Sequence, residues 1–329
     1  MKPFAYHQPG EAAEAGRLLE THGGQARLIA GGSDLLGELK DGIVHYGQLI
    51  SLSRVKGLDQ IHQGASGLRI GAMVILARME GDPLLSGPYR MLAEAARGVA
   101  TPEIRNQGTL GGNLCQRPRC LHYRSPWVSC LKKRGSGCPA MESGHQHYLS
   151  VMGAGDCRAV NPSDLAPPLV ALAGVAIIDG ASSSRSLPLT EFFAGPDQIA
   201  GRDNALRPGE LLVAVELPPM PENWRGTYLK ARERTAGDFA LISAAFGCRI
   251  EEGRIEQARL VLGGASAGPM RCPEAEALLE GQAPSAETAA RAAEAAFADA
   301  SPLPHNGFKL DLGRALVSRA ISQITSSTG

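Results

Sequence analysis

Two glycine-rich stretches decide how this chain folds: Ala30-Gly31-Gly32-Ser33-Asp34-Leu35-Leu36 and Arg105-Asn106-Gln107-Gly108-Thr109-Leu110-Gly111-Gly112-Asn113-Leu114. The first follows Arg27-Leu28-Ile29-Ala30, which reads as a short strand, and precedes residues 35–40, which read as a short helix. Such a junction can hold an anion, because glycine lets the backbone come close and the N–H groups at a helix start point outward. Ser33 can add a hydroxyl donor or cap the helix. The same pattern also suits a plain turn, and it is neither a GxGxxG fingerprint nor a P-loop. Two loops of this kind, about 75 residues apart, could grip one elongated ligand from two sides, with backbone dipoles neutralising a central pyrophosphate.

The composition is consistent with that economy of charge. Among 329 residues, 33 Lys and Arg balance 33 Asp and Glu. A nucleic-acid or membrane-surface binder would be basic overall, so both are excluded as general roles. The apolar share of 43% rules out a wholly disordered chain. The length favours two domains. No apolar run is long enough for a membrane span, and Met1 to Gly10 carries no secretory signal.

Working outward, residues 9–21 and 89–100 read as helices, and 49–52 and 68–70 as strands. Residues 163–173 read as a helix, and 175–179 and 211–217 as strands. Pro218-Pro219-Met220-Pro221-Glu222-Asn223 is a linker candidate. Beyond it, 227–230, 240–250 and 254–262 read as three strands, the last two joined through Glu251-Glu252-Gly253, with helices at 273–280, 286–300 and 310–326. Strands followed by helices suggest an α+β unit.

Five of the seven cysteines, Cys115, Cys120, Cys130, Cys138 and Cys157, fall in one irregular window that holds six basic residues against two acidic ones. Structural zinc sites usually pair their cysteines at close spacing, and only the first pair comes near that. Widely spaced, loop-borne thiols suit an iron–sulfur cubane, and surplus positive charge would stabilise its anionic core. Zinc and a metal-free loop stay open on spacing alone. His145 and His147 inside the window read as solvated loop residues. Cys248 reads as a small buried hydrophobe, and Cys272 has no partner signal. No Ser-His-Asp or GxSxG arrangement supports hydrolase chemistry.

The two glycine loops resemble the FAD pyrophosphate loops of the flavoprotein subunit in the xanthine dehydrogenase (molybdenum hydroxylase) family. Asn161-Pro162-Ser163-Asp164 is similar to the family segment whose Asp bonds the FAD ribose region. Tyr228-Leu229-Lys230-Ala231-Arg232, running on through Asp238-Phe239-Ala240, is similar to the segment whose Lys reaches the flavin. Read without the family, Asp164 could equally be a helix-start carboxylate and Lys230 an exposed edge-strand residue.

The resemblance implies an α+β fold. Residues 1–222 would form a two-part FAD-binding domain of the vanillyl-alcohol-oxidase/PCMH type, with an insert at about 115–157. Residues 223–329 would form a CO-dehydrogenase-flavoprotein-like domain with a three-stranded antiparallel sheet and helices. It implies FAD contacts at Arg27, Leu28, Ile29, Ala30, Gly31, Gly32, Ser33, Asp34, Leu35, Thr109, Gly112, Asn113, Asp164 and Lys230. The cysteine window most resembles the insert of the bacterial periplasmic aldehyde oxidoreductase flavoprotein subunit. There it implies a [4Fe–4S] cluster held by Cys120, Cys130, Cys138 and Cys157, with Cys115 left out. The implied role is electron transfer in a heterotrimer, from a large molybdopterin subunit through a small [2Fe–2S] subunit to FAD and then to an external acceptor. A 4-hydroxybenzoyl-CoA-reductase-like subunit and a zinc-stapled FAD-binding scaffold are the alternatives. The expected location is the cytoplasm, or the periplasm by co-export with a signal-bearing partner.

Overall fold

The structure is a computed structural model that describes residues 1–153, 155–193, 202–235 and 237–325. Three sheets organise it. The first is a small parallel sheet of β1 (Ala5–His7), β2 (Ala26–Ile29) and β3 (Gln48–Ser51), in the order β1-β3-β2. The helix Ala12–His22 packs on it, turning Ala15 inward to join Ala26, Ile50 and Leu52. Gly16 of that helix lies against residues 180–181, where a Cβ would come within 2.6 Å of the Ala181 nitrogen.

The second sheet has five strands: β4 (Ile61–Gly64), β5 (Gly67–Gly71), β6 (Val175–Asp179), β7 (Ser184–Pro188) and β8 (Leu211–Leu217), in the order β4-β5-β8-β6-β7 and antiparallel throughout. Val213 and Leu211 of β8 face the first sheet's core, while Leu212, Val215 and Leu217 join the large core that also buries Leu92, Leu169 and Phe192. A register irregularity in β8, where Ile177 and Ile178 pair with Ala214 and Leu212, reverses the facing between Val213 and Val215, so the strand contributes to both cores.

The third sheet is antiparallel: β9 (Trp224–Ala231), β10 (Ile242–Glu251), β11 (Arg254–Gly263) and β12 (Met270–Arg271), in the order β12-β11-β10-β9. Four strands stand where three were expected. The extra one is only two residues long, bonded at Val261 and Leu262, and so short a strand has no periodicity for a sequence to display. The helices Pro273–Leu279, Ala286–Ala295 and Phe308–Thr325 cover one face over Phe246, Leu260, Leu262 and Phe297. The helix Ala166–Ala171 packs on β10 and β11, so the sheet is covered from both sides. Among the described residues, no helix is long and apolar enough to cross a membrane.

Candidate functional site: a cleft, a second cavity and a cysteine loop

β2 ends at Ile29, and the chain passes through Gly31 and Gly32 into the helix Leu35–Lys40. Gly32 has φ of +73°, a conformation open to glycine at no cost. Gly31 is fixed by packing: a Cβ there would lie 1.8 Å from the Gln107 carbonyl oxygen. The two glycine loops therefore abut edge to edge rather than face each other across a gap. The second loop leads into the helix Leu110–Leu114, capped by the Thr109 hydroxyl, which accepts from the Gly112 N–H at 3.1 Å. Gly111 presses on Ala72, beyond the end of β5.

Together they line a cleft of about 440 Å³. Residues 27–35, Thr109 and Gly112 are all on its wall, and Glu38, Cys115, Gln116, Arg117, residues 202–204 and residues 206–210 also contribute to it. A second cavity of about 170 Å³ lies between the cysteine loop, residues 160–163 and the β9–β10 connection. A small void joins the series, sharing Gln116 and Asp203 with the cleft and Val160, Asn161 and Pro162 with the second cavity.

Asn113, Asp164 and Lys230 do not line the cleft; they form its link to the C-terminal sheet. The Ser163 hydroxyl donates to Asn113 Oδ1 at 2.6 Å. Asp164 is buried and accepts from Tyr228 Oη at 2.6 Å and Lys230 Nζ at 2.7 Å. Lys230 also donates to the Gly98 carbonyl at the end of the helix Arg90–Gly98, a favourable place for a cation. Although β9 is an edge strand, the Lys230 side chain is only 6% exposed, so the surface reading fails here. Burial pushes the Asp164 carboxyl up, and the ammonium beside it opposes that shift. Burial, with Asp164 adding to it, holds Tyr228 well above its ordinary range. The sequence pattern assigns Tyr228 no role, yet its hydroxyl holds Asp164. Its signal was there, since residues two apart on a strand share a face.

The Asp34 carboxylate turns away from solvent toward the cysteine window. Its Oδ1 accepts from Arg124 at 2.7 Å and from Arg119 at 2.9 Å, and its Oδ2 accepts from the Arg117 N–H at 2.8 Å. Glu38, one helical turn on, receives the Tyr123 hydroxyl, on which Arg117 Nε also lies at 3.0 Å. Asp203 pairs with Arg117 and Lys132. Much of the window's positive charge is therefore engaged in docking it beside the first glycine loop. Asp34 and Glu38 lie at i and i+4 on one helix face, a spacing that could have exposed their joint role.

Cys120 and Cys138 both pack against Ala140, Leu149 and Leu303. Burial raises the Cys120 thiol, and Cys138 and Cys157 push it the same way. Burial raises Cys157 too, with Lys132 opposing and Cys138 reinforcing. Cys130 is buried, and its neighbour Leu131 donates to Gly137, next to Cys138. Cys120, Cys138 and Cys157 therefore lie near one another, and the backbone beside Cys130 is bonded to the backbone beside Cys138. Among the described residues, however, no three His, Cys, Asp or Glu side chains stand grouped closely enough to hold a metal as they are. Cys115 lines the first cleft instead, raised by burial to about 11 with Arg27 opposing. Cys248 and Cys272 are buried in the C-terminal core. His147 departs from the solvated reading: it pairs with Glu233 at 2.7 Å and stacks on Phe308 at 4.5 Å, fastening the loop to the C-terminal unit.

A cleft floored by two abutting glycine loops, joined to a buried strand-borne Lys–Asp pair, is suited to an elongated anionic ligand held by backbone N–H groups. The FAD binding domain in molybdopterin dehydrogenase matches residues 2–220, and the CO dehydrogenase flavoprotein C-terminal domain matches residues 227–324. The chain belongs to the FAD-binding medium subunits of the xanthine dehydrogenase and CO dehydrogenase family of oxidoreductases. It is 35% identical over 327 residues to the aldehyde oxidoreductase FAD-binding subunit PaoB of Escherichia coli strain K12, covering 98% of each chain. It is 26% identical to the carbon monoxide dehydrogenase medium chain of Hydrogenophaga pseudoflava, over 91% of this chain and 88% of that one. The carbon monoxide dehydrogenase structure from the same organism superposes with a TM-score of 0.79 at 25% identity, covering 99% of this chain and 98% of that one. Quinoline 2-oxidoreductase from Pseudomonas putida 86 superposes with a TM-score of 0.76 at 27% identity, covering 98% and 97%.

Proposed function

We propose that this chain is the electron-transfer flavoprotein subunit of a molybdenum-containing aldehyde oxidoreductase, and that it carries a [4Fe–4S] cluster as well as FAD. The observation that carries the reading is the contact of Gly31 with Gln107, which makes the two glycine loops one floor for a pyrophosphate. Residues 27–35, Thr109 and Gly112 would hold the pyrophosphate and adenosine end through backbone N–H groups and the Thr109 and Ser33 hydroxyls. The ring end would extend toward the second cavity, near Asn113, Asp164 and Lys230. FAD supplies two-electron chemistry that can be released one electron at a time; the protein binds, orients and biases it.

Cys120, Cys130, Cys138 and Cys157 would hold the cluster. The donor chemistry suits it, since thiolates are its ordinary ligands and three of these thiols already influence one another. The partners are a large molybdopterin subunit, which acts on the substrate, and a small [2Fe–2S] subunit between it and this chain, with the boundary between the chain's own domains near residue 222. The close relation to an aldehyde oxidoreductase subunit supports this over the reductase alternative. Such a complex would work in the cytoplasm, or in the periplasm when carried there by a signal-bearing partner.

The test is flavin, iron and acid-labile sulfide analysis of anaerobically purified protein, alone and co-expressed with its genomic neighbours. One FAD with four irons and four sulfides per chain is expected. Zinc without sulfide would overturn the cluster, and absence of flavin would overturn the whole reading.

A further inference from the structure

The second cavity is bordered by Arg119, Glu233 and Asp238. The Glu233 carboxylate accepts from Tyr148 Oη at 2.6 Å and lies 2.7 Å from His147, which offsets its charge only when protonated. Asp238 is held by Arg234, with Nε at 2.9 Å. Arg119 is different. It comes from the cysteine loop, lines the second cavity, and lays its guanidinium over the Phe239 ring at 4.6 Å. Its Nη2 reaches Asp34 at 2.9 Å and Gln116 at 3.1 Å. Asp34 also pairs with Arg124, so two guanidiniums share one carboxylate and the positive charge of Arg119 is only partly offset. Phe239 and Asp34 hold that charge at the cavity wall, where water is partly excluded and its field is stronger than on an open surface.

We propose that Arg119 is the cation of the second cavity, contributed by the cysteine loop to bias the bound flavin ring toward its electron-rich reduced form. This rests on the reading that FAD extends from the cleft into that cavity. Reduction places negative charge on the ring, and a fixed cation beside it favours that state over the neutral oxidised one. The cysteine loop would then serve the flavin electrostatically as well as carrying its own cofactor.

The test is a redox titration of the flavin band in the purified holoprotein, comparing wild type with Arg119→Gln, Arg119→Met, Arg119→Lys and Arg124→Gln, with FAD and iron content measured for each. At the potential where wild-type flavin is half reduced, the Gln and Met variants should show a reduced-to-oxidised ratio about tenfold lower, the scale of one charge lost at intermediate dielectric. Arg119→Lys should keep the wild-type ratio. Arg124→Gln frees Asp34 to neutralise Arg119 and should lower the ratio in the same direction, by less than the Arg119 variants. A wild-type ratio in both neutral variants, with FAD still bound, would overturn the role of Arg119 and leave the FAD reading standing. An equal shift in Arg119→Lys would trace the effect to packing and overturn it too. A wild-type protein without flavin would overturn both.

Discussion

Asp34 and Arg124 meet at 2.7 Å across 90 residues of sequence, one at the start of the first glycine loop's helix and the other in the cysteine window. Through this pair, and through Arg119 and the Arg117 N–H on the same carboxylate, the window is fastened to the floor of the cleft.

Asp34→Ala removes three bonds from the window at once. It should leave the domain folded and make the segment 115–157 the first site of cleavage in limited proteolysis. An unchanged cleavage pattern would show that Asp203 and Glu38 suffice to hold it.

Gly31→Ala forces a methyl group onto the Gln107 carbonyl and should cost at least about 1–3 kcal/mol of strain. Gly37→Ala, with open space around its added carbon, should stabilise the helix by about 0.5–1 kcal/mol. The flavin-to-protein absorbance ratio should fall for the first and hold for the second.

Lys230→Met strands the buried Asp164 carboxylate and should cost about 3–5 kcal/mol in a urea melt. Adding Asp164→Asn should recover part of the loss. A double variant no better than the single one would deny the coupling.

Cys138→Ser should lower iron while leaving most FAD bound, because the thiol lies outside the first cleft. Full retention of iron, assayed against protein, would remove Cys138 from the ligand set.

Lys309 is fully buried and donates to the carbonyls of Leu149 and Gly264, with burial lowering its pKa to about 7. The unfolded chain, with the ordinary lysine value of 10.5, binds a proton between those limits that the folded chain does not. This group's contribution to stability therefore rises with pH from about 7 toward 10.5, and its penalty is complete below 7. Lys309→Met should flatten that part of the stability profile, read from urea midpoints at pH 7 and 9.

Strands 175–179 and 211–217 and helix 35–40 stand where the sequence puts them, because each combines an apolar run with a clear stop. β1, β4, β7 and β12 escape, being short or polar on most positions. The cleft is legible from its glycines, since a backbone site needs few side chains. The second cavity is not, because it joins residues 119–121, 148–149, 160–163, 233, 238–240, 243 and 264, which nothing local connects. The basic excess of the window is readable, but its partners Asp34, Glu38 and Asp203 lie elsewhere in the chain, so the excess alone suggests a cluster's counter-charge rather than a docking face.

The hold that Tyr228 and Lys230 keep on Asp164 sets a limit on separability. A fragment ending near residue 220 would retain the acid and lose both donors, together with the cation at the Gly98 carbonyl. The two family-matched regions are therefore not interchangeable modules. A chimera that swaps the C-terminal region must bring a tyrosine and a lysine at the same two strand positions, or it inherits an orphaned charge at the seam.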